Sequence, residues 1–152
     1  MGKLLQKIKV RPASLEDLPE LEYIEKSSFS NPYPLSLLKT LVTLNFGEFL
    51  VAVLNGNIVG YISSIFENFS SATIVSIAVH PKYRRKHVGD ALLKILLEKL
   101  RSKGFVEVKL EVRESNIAAR RLYEKFGFKY SGRIPGYYDD GEDAIIMKLK
   151  LA

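Results

Sequence analysis

Two strand–turn–helix units, one entered through a basic turn and one through a polar turn, restrict what this chain can fold into more than any other feature. In the first, the β-branched run Ala72 to Val79 leads into Tyr83-Arg84-Arg85-Lys86-His87-Val88-Gly89-Asp90-Ala91-Leu92-Leu93. Val88, Leu92, Ile95, Leu96 and Leu100 then recur at helical spacing, and Gly104 closes the helix. In the second, Phe105 to Val112 alternates as a strand, and Glu114-Ser115-Asn116 turns. A stripe of Ala118, Ala119, Leu122, Tyr123 and Phe126 follows on a helix ended by Gly127. Strands alternating with helices in this way require an α/β domain. A helix that opens on a turn aims unpaired backbone N–H groups, and the positive end of its dipole, at an anion. With Arg84, Arg85 and Lys86 beside those amides, a pyrophosphate suits the turn. Taken alone, the same turn is equally a basic helix start on a solvated surface.

The rest of the chain supplies the remaining elements. Ile8 to Arg11 alternates as a short strand that Pro12-Ala13 ends, and Ser14 is placed as an N-cap with Asp17 beyond it. Leu15, Leu18, Leu21 and Ile24 follow at helical spacing. The loop from Ser27 to Pro34 holds Phe29, Pro32 and Tyr33, and a second helix is predicted from Leu35 to near Leu44. Glu48 to Leu54 and Ile58 to Phe66 read as a hairpin joined at Asn55-Gly56-Asn57. Phe128 to Ser131 and Asp143 to Leu149 are the last two predicted strands, with Gly132 to Gly141 as the loop between them. The order β-α-α-β-β-β-α-β-α-β-β predicts an α/β domain with a mixed sheet, and residues 1–152 read as one domain without repeats or linkers.

Composition removes several classes of function. Apolar residues make up 47% of the chain and charged residues 26%, which argues against disorder. There is no cysteine, and His80 and His87 are the two histidines, so neither a metal site nor a cysteine nucleophile is expected. No apolar run approaches the ~20 residues of a membrane span. The start Met1 to Lys7 lacks the pattern of a secretory signal, so the expectation is a cytoplasmic protein with no membrane partner. The net charge of +6 raises nucleic acid as a partner. The positive charges are dispersed apart from Lys82 to His87, with no basic tail, zinc-finger spacing or RNA-binding signature, so no nucleic acid is expected.

Together the two units resemble the acetyl-CoA-binding half of the GCN5-related N-acetyltransferases. Arg84, His87 and Gly89 match that superfamily's Arg/Gln-x-x-Gly-x-Gly/Ala signature. Ser115, Asn116, Leu122, Tyr123, Gly127 and Phe128 match its Ser-Asn…Leu-Tyr-x-x-x-Gly-Phe pattern. The resemblance covers nearly the whole chain. It implies a mixed, mostly antiparallel sheet of about seven strands flanked by about four helices, with two central strands splayed apart and acetyl-CoA (or CoA) between them.

By the same resemblance, Arg84, Arg85 and Lys86 with the amides of His87, Val88, Gly89, Asp90 and Ala91 hold the pyrophosphate. Ile77, Ala78 and Val79 pair their backbone with the pantetheine arm, which Asn116 and Ala119 also meet. Asn116 reads independently as the N-cap of its helix. His87 departs from the pattern, because glycine at that position permits a positive φ that is strained for histidine. Tyr123 is implied as the general acid beside the cofactor sulfur, although a tyrosine on an apolar face is ordinarily core. Glu111, in a strand whose Leu110 and Val112 face the other way, is implied as the base, directly or through water, whereas a lone strand glutamate is ordinarily solvated. Between Ser27 and Thr40 there is no carboxylate, which closes the route that some N-terminal acetyltransferases take through that loop.

The run Gly136-Tyr137-Tyr138-Asp139-Asp140-Gly141-Glu142-Asp143-Ala144-Ile145-Ile146-Met147 is similar to that of protein Nα-acetyltransferases of the archaeal and ribosomal-protein types. This implies a peptide groove with Tyr137 and Tyr138 on one side and Phe29, Pro32 and Tyr33 on the other, while Asp140-Gly141 also reads as a plain hairpin turn. The expected activity is acetyl transfer from acetyl-CoA to the N-terminal amine of a protein or peptide, ribosomal proteins included. Transfer is expected to be direct, in a ternary complex, from a monomer or homodimer, since no acyl-carrying nucleophile is present. The rivals are an acetyltransferase of lysine or a small amine, and a non-catalytic domain binding CoA or nucleic acid.

Overall fold

The computed structural model describes residues 7–151. Met1 to Gln6, most of the start read above as lacking a secretory signal, and Ala152 lie outside the described residues. One sheet holds β1 (Lys9–Pro12), β2 (Phe49–Leu54), β3 (Asn57–Phe66), β4 (Ser71–Val79), β5 (Glu107–Arg113), β6 (Lys129–Ile134) and β7 (Ala144–Lys150). The seven strands lie in the order β1-β2-β3-β4-β5-β7-β6. Every neighbouring pair is antiparallel except β4 with β5. The helices are α1 (Leu18–Ser28), α2 (Leu35–Thr43), α3 (Val88–Ser102) and α4 (Ile117–Lys125). Among the described residues no helix is long and apolar enough to cross a membrane.

Two apolar clusters, one built on α3 and one on α1 and α2, bury the sheet. The stripe on α3, extended by Leu93 and Leu97, packs on Leu50, Ile62, Ala72, Val108 and Leu110, and Tyr123 and Phe128 join this cluster. Leu21 and Ile24 of α1 and Leu38 of α2 pack on Phe49, Val51, Tyr61 and Ala78 in the second cluster. Gly60 of β3 lets α3 approach the sheet: a Cβ there would lie 2.9 Å from Val88 Cγ1 and 3.0 Å from the Ala78 carbonyl oxygen. The start of α3 is thereby pressed down beside the end of β4.

Asn55 (φ 51°) and Gly56 (φ 81°) both adopt positive φ, the geometry of the two-residue hairpin turn read from Asn55-Gly56. Beyond its predicted end at Ser131, β6 runs on to Ile134. A register shift between Tyr130 and Gly132 leaves Ser131 as the extra residue of a bulge and pairs Gly132 with Ile146, so the glycine predicted to open the loop lies within the strand.

The feature that makes room for a site is a parting of the sheet. Strands β4 and β5 pair only over Ser71–Ile74 with Glu107–Leu110. Past those residues β4 stays with β3, whose register shifts between Ser63 and Ser64, while β5 stays with β7 as far as Arg113 opposite Ala144. A wedge opens between Val75–Val79 and Glu111–Arg113, at the end where α3 and α4 begin.

Ahead of α1, Asp17 anchors the first turn. Its carboxylate accepts Arg11 Nη1 and Nη2 at 2.8 and 2.9 Å and the Ser14 N–H at 2.8 Å. The Arg11 hydrogen bond, opposed in part by burial, holds Asp17 below the usual carboxylate range. Asp17→Ala should therefore lower stability at pH 7 by about 2 kcal/mol, measured by urea unfolding. A depressed carboxylate stabilises the fold above its unfolded value and loses that contribution as pH falls through the folded one. The difference between variant and wild type should shrink below about pH 4. An unchanged difference at pH 2.5 would mean that charge is not what Asp17 contributes.

Candidate active site

The basic turn is braced before it reaches the helix. Arg84 Nε donates to the Val79 carbonyl at 3.1 Å and Nη2 to Ser28 Oγ at 3.4 Å, fastening the turn to the end of β4. Arg85 (φ 62°) and His87 (φ 63°) are both left-handed. The departure noted at His87 is therefore a real one: the turn takes the positive φ that glycine would accept without strain, and histidine occupies it. Left-handed residues in a turn curl successive N–H groups toward a common point, a concavity suited to anions. The first helical bond of α3 runs from the Ala91 N–H to the His87 carbonyl at 3.1 Å. The amides of Val88, Gly89 and Asp90 are left without helical partners.

A cavity of about 710 Å³ lies at this helix start. Ile77, Ala78 and Val79 form one side, Arg84, Arg85, His87, Val88, Gly89 and Asp90 the end, and Asn116 and Ala119 the far side. Lys86 and Ala91 line no part of it. A Cβ on Gly89 would sit 3.2 Å from Leu122 Cδ2 and 3.8 Å from Ile77 Cδ1, so glycine lets the first turn of α3 close on α4. Asn116 is the N-cap of α4, its Oδ1 accepting the Ala119 N–H at 3.1 Å. A phosphate-bearing cofactor with an extended arm fits these residues: unpaired amides and Arg85 at one end, and the unpaired edge of β4 alongside.

A second cavity, of about 780 Å³, adjoins the first and shares Ser28, Phe29, Ile77, Asn116 and Ala119 with it. Glu111, Tyr123, Tyr33, Tyr137 and Tyr138 line it, so the structure brings the two candidate proton-transfer groups together with four of the five candidate groove residues. Pro32 lines neither cavity. Tyr123 is 4% exposed and packs on the Phe128 ring at 5.5 Å. Burial, with a smaller effect from Tyr138, pushes its phenol far above the ordinary tyrosine range, so it stays protonated. Glu111 follows the alternation of β5: Leu110 and Val112 point into the core while Glu111 faces the wedge. The Tyr137 hydroxyl donates to Glu111 Oε1 at 3.3 Å. Burial raises Tyr138 to about 12 although Arg113 opposes it, and burial followed by Glu25 raises Tyr33.

Several residues at this site carry no role in the sequence reading. The Arg113 guanidinium lies 4.1 Å from the centre of the Tyr138 ring and pairs with Asp140 and Glu142, each at 2.9 Å. Glu142 Oε2 in turn accepts the Ser115 N–H at 2.7 Å, so the tyrosine loop is fixed to the turn that precedes α4. Asn31 Nδ2 donates to Asp139 Oδ2 at 2.8 Å and joins the two loops. The loop from Ser27 to Thr40 has no carboxylate, yet Glu25 brings one to the same cavity from the last turn of α1. Its signal in the sequence was a charge four residues beyond Leu21, on the helix face that packs into the core.

A model of the acetyltransferase (GNAT) family matches residues 15–128. The chain is 35% identical over 155 aligned positions to the N-alpha-acetyltransferase of Sulfurisphaera tokodaii, covering 94% of this chain and 93% of that one. Its fold matches the ribosomal-protein-S18-alanine N-acetyltransferase from Escherichia coli with a TM-score of 0.88 at 32% identity, over 95% of this chain and 94% of that one. A GNAT family acetyltransferase from Elizabethkingia anophelis, solved with acetyl-CoA bound, shares the fold at a TM-score of 0.80 and 20% identity, over 95% and 98% of the two chains.

Proposed function

Given that the chain belongs to the acetyltransferase (GNAT) family and is an acetyl-CoA-dependent acetyltransferase, we propose that its acceptor is the free N-terminal amine of a protein or peptide, ribosomal proteins among them. One observation carries this reading: an aromatic-walled cavity holding Glu111 and Tyr123 opens directly onto the cleft at the basic turn. The two similar enzymes named for N-terminal and ribosomal-protein acetylation support it. On the same reading residues 1–152 form one acetyltransferase domain that works in the cytoplasm.

Bound acetyl-CoA supplies an activated acetyl thioester. The amides of Val88, Gly89 and Asp90, with Arg85, would hold its phosphates, and the edge of β4 at Ile77–Val79, where Arg84 takes the Val79 carbonyl, would hold its arm. Phe29, Tyr33, Tyr137 and Tyr138 grip the first residues of the peptide. Glu111, directly or through a water, takes a proton from the acceptor nitrogen, with the Tyr137 hydroxyl orienting its carboxylate. Tyr123, kept protonated by burial, donates its proton at the departing sulfur. Transfer is direct, in a ternary complex.

The nitrogen's own chemistry favours a terminal amine. In an unstructured peptide an α-amino group titrates at about pH 8 and a lysine at about pH 10.4, so a carboxylate deprotonates the former far more readily. A lysine-free peptide with an open N-terminus should be acetylated, and the same peptide with a blocked N-terminus and one internal lysine far more slowly, by mass spectrometry of the products. The opposite ranking would assign the enzyme to side-chain lysine.

A further inference from the structure

The acceptor cavity contains a carboxylate that the proposed chemistry does not use. Glu25 is 2% exposed and lines this cavity. Its Oε2 accepts the backbone N–H of Tyr33 at 2.8 Å, and its Oε1 accepts the Tyr61 hydroxyl. Tyr61, 1% exposed on β3, also lies 3.3 Å from Ser76 Oγ, on the part of β4 that has left β5. One buried carboxylate thus joins α1 and the loop after it to β3 and, through the Tyr61 hydroxyl, to β4 at the wedge. Tyr33 also packs against the apolar cluster of α1 and α2, but the loop has few other polar ties. Among the described residues, the only other hydrogen bond made by residues 30–33 is that from Asn31 to Asp139 on the surface.

We propose that Glu25 is a positioning residue that fixes the Tyr33 wall of the acceptor site in register with β4, an inference that rests on the peptide reading above. Both carboxylate oxygens already accept a hydrogen bond, which suits an anchor better than a proton shuttle. An uncharged carboxamide can do the same work. Its oxygen accepts the Tyr33 N–H, its amide donates to Tyr61, and the Tyr61 hydroxyl turns to Ser76. A proton acceptor could not be replaced in this way.

The test compares Glu25→Ala, Glu25→Gln and Glu25→Met, the last filling the space without an acceptor should the alanine variant be unstable. Peptide KM and kcat, the acetyl-CoA Kd and the rate of chymotryptic cleavage between Phe29 and Ser30 are measured. Glu25→Ala and Glu25→Met should raise peptide KM about tenfold or more and speed loop cleavage, with a much smaller change in the acetyl-CoA Kd. Glu25→Gln should restore most of the lost kcat/KM with the pH–rate profile unmoved. Wild-type peptide KM in the alanine and methionine variants, or an uncut loop, overturns the proposal. So does a glutamine variant as impaired as alanine that has lost the ascending pH limb, since Glu25 would then be a proton acceptor. If the wild-type enzyme acetylates no peptide, the proposed function falls, and the cleavage rates alone decide whether Glu25 holds the loop.

Discussion

Tyr123→Phe should lower kcat for peptide acetylation by about 10²–10⁴ while leaving acetyl-CoA affinity within about twofold. The substitution removes one oxygen from a ring that is packed against Phe128 and closed off from solvent, so the fold has little to lose. What disappears is a proton donor that burial keeps protonated throughout the working range. The pH dependence should accordingly keep its shape in the variant, with the whole curve lowered. Isothermal titration for the cofactor and steady-state kinetics for the peptide separate the two effects. Full turnover in Tyr123→Phe would return this tyrosine to an ordinary core role and move the proton donor elsewhere in the cavity.

The second large effect concerns the cradle at the start of α3. Acetyl-CoA at about a hundred times its Kd should stabilise the protein by about 2.7 kcal/mol, a rise of several degrees in melting temperature. Dephospho-CoA should protect nearly as well, because the amides of Val88, Gly89 and Asp90 meet the pyrophosphate, and pantetheine much less well. Gly89→Leu should abolish most of this protection. Its Cβ is already pressed toward Leu122 and Ile77, so the rest of the side chain must enter the cleft or push α3 from α4. Equal protection by pantetheine and acetyl-CoA, or undiminished protection in Gly89→Leu, would remove the pyrophosphate cradle as the anchor.

The elements themselves were legible because each announces its period. The stripe from Val88 to Leu100 and the alternation around Glu111 carry strong signals, and tertiary packing agrees with them. The extension of β6 was not legible, because a glycine beside a bulge and a glycine in a loop look alike in a sequence. The motif residues gathered as expected around two adjoining cavities, but Lys86, Ala91 and Pro32 line neither. Proximity along the chain does not decide which way a residue in a turn faces. Glu25 and Arg113 escaped for a different reason. Each acts by holding something distant, Tyr33 and Tyr61 in one case and Tyr138 with Asp140 and Glu142 in the other. No local pattern encodes a partner so far along the chain.

The parting of β4 from β5 has a mechanical consequence. The sheet is two half-sheets, β1 to β4 and β5 to β7, whose lateral bond is the short parallel ladder of Ser71–Ile74 with Glu107–Leu110. Parallel pairing is slightly weaker per residue than antiparallel, so this ladder is the compliant seam of an otherwise stiff plate. Thermal motion should concentrate there as a slight opening and closing of the two halves, like a book on a short spine. Amide hydrogens of Val75 to Val79 that face the gap should exchange faster than those of β3 in the empty protein. An arm laid along that free edge would stitch the halves together and slow the exchange. The cofactor would then act as a stiffening batten for the enzyme as well as its acetyl donor.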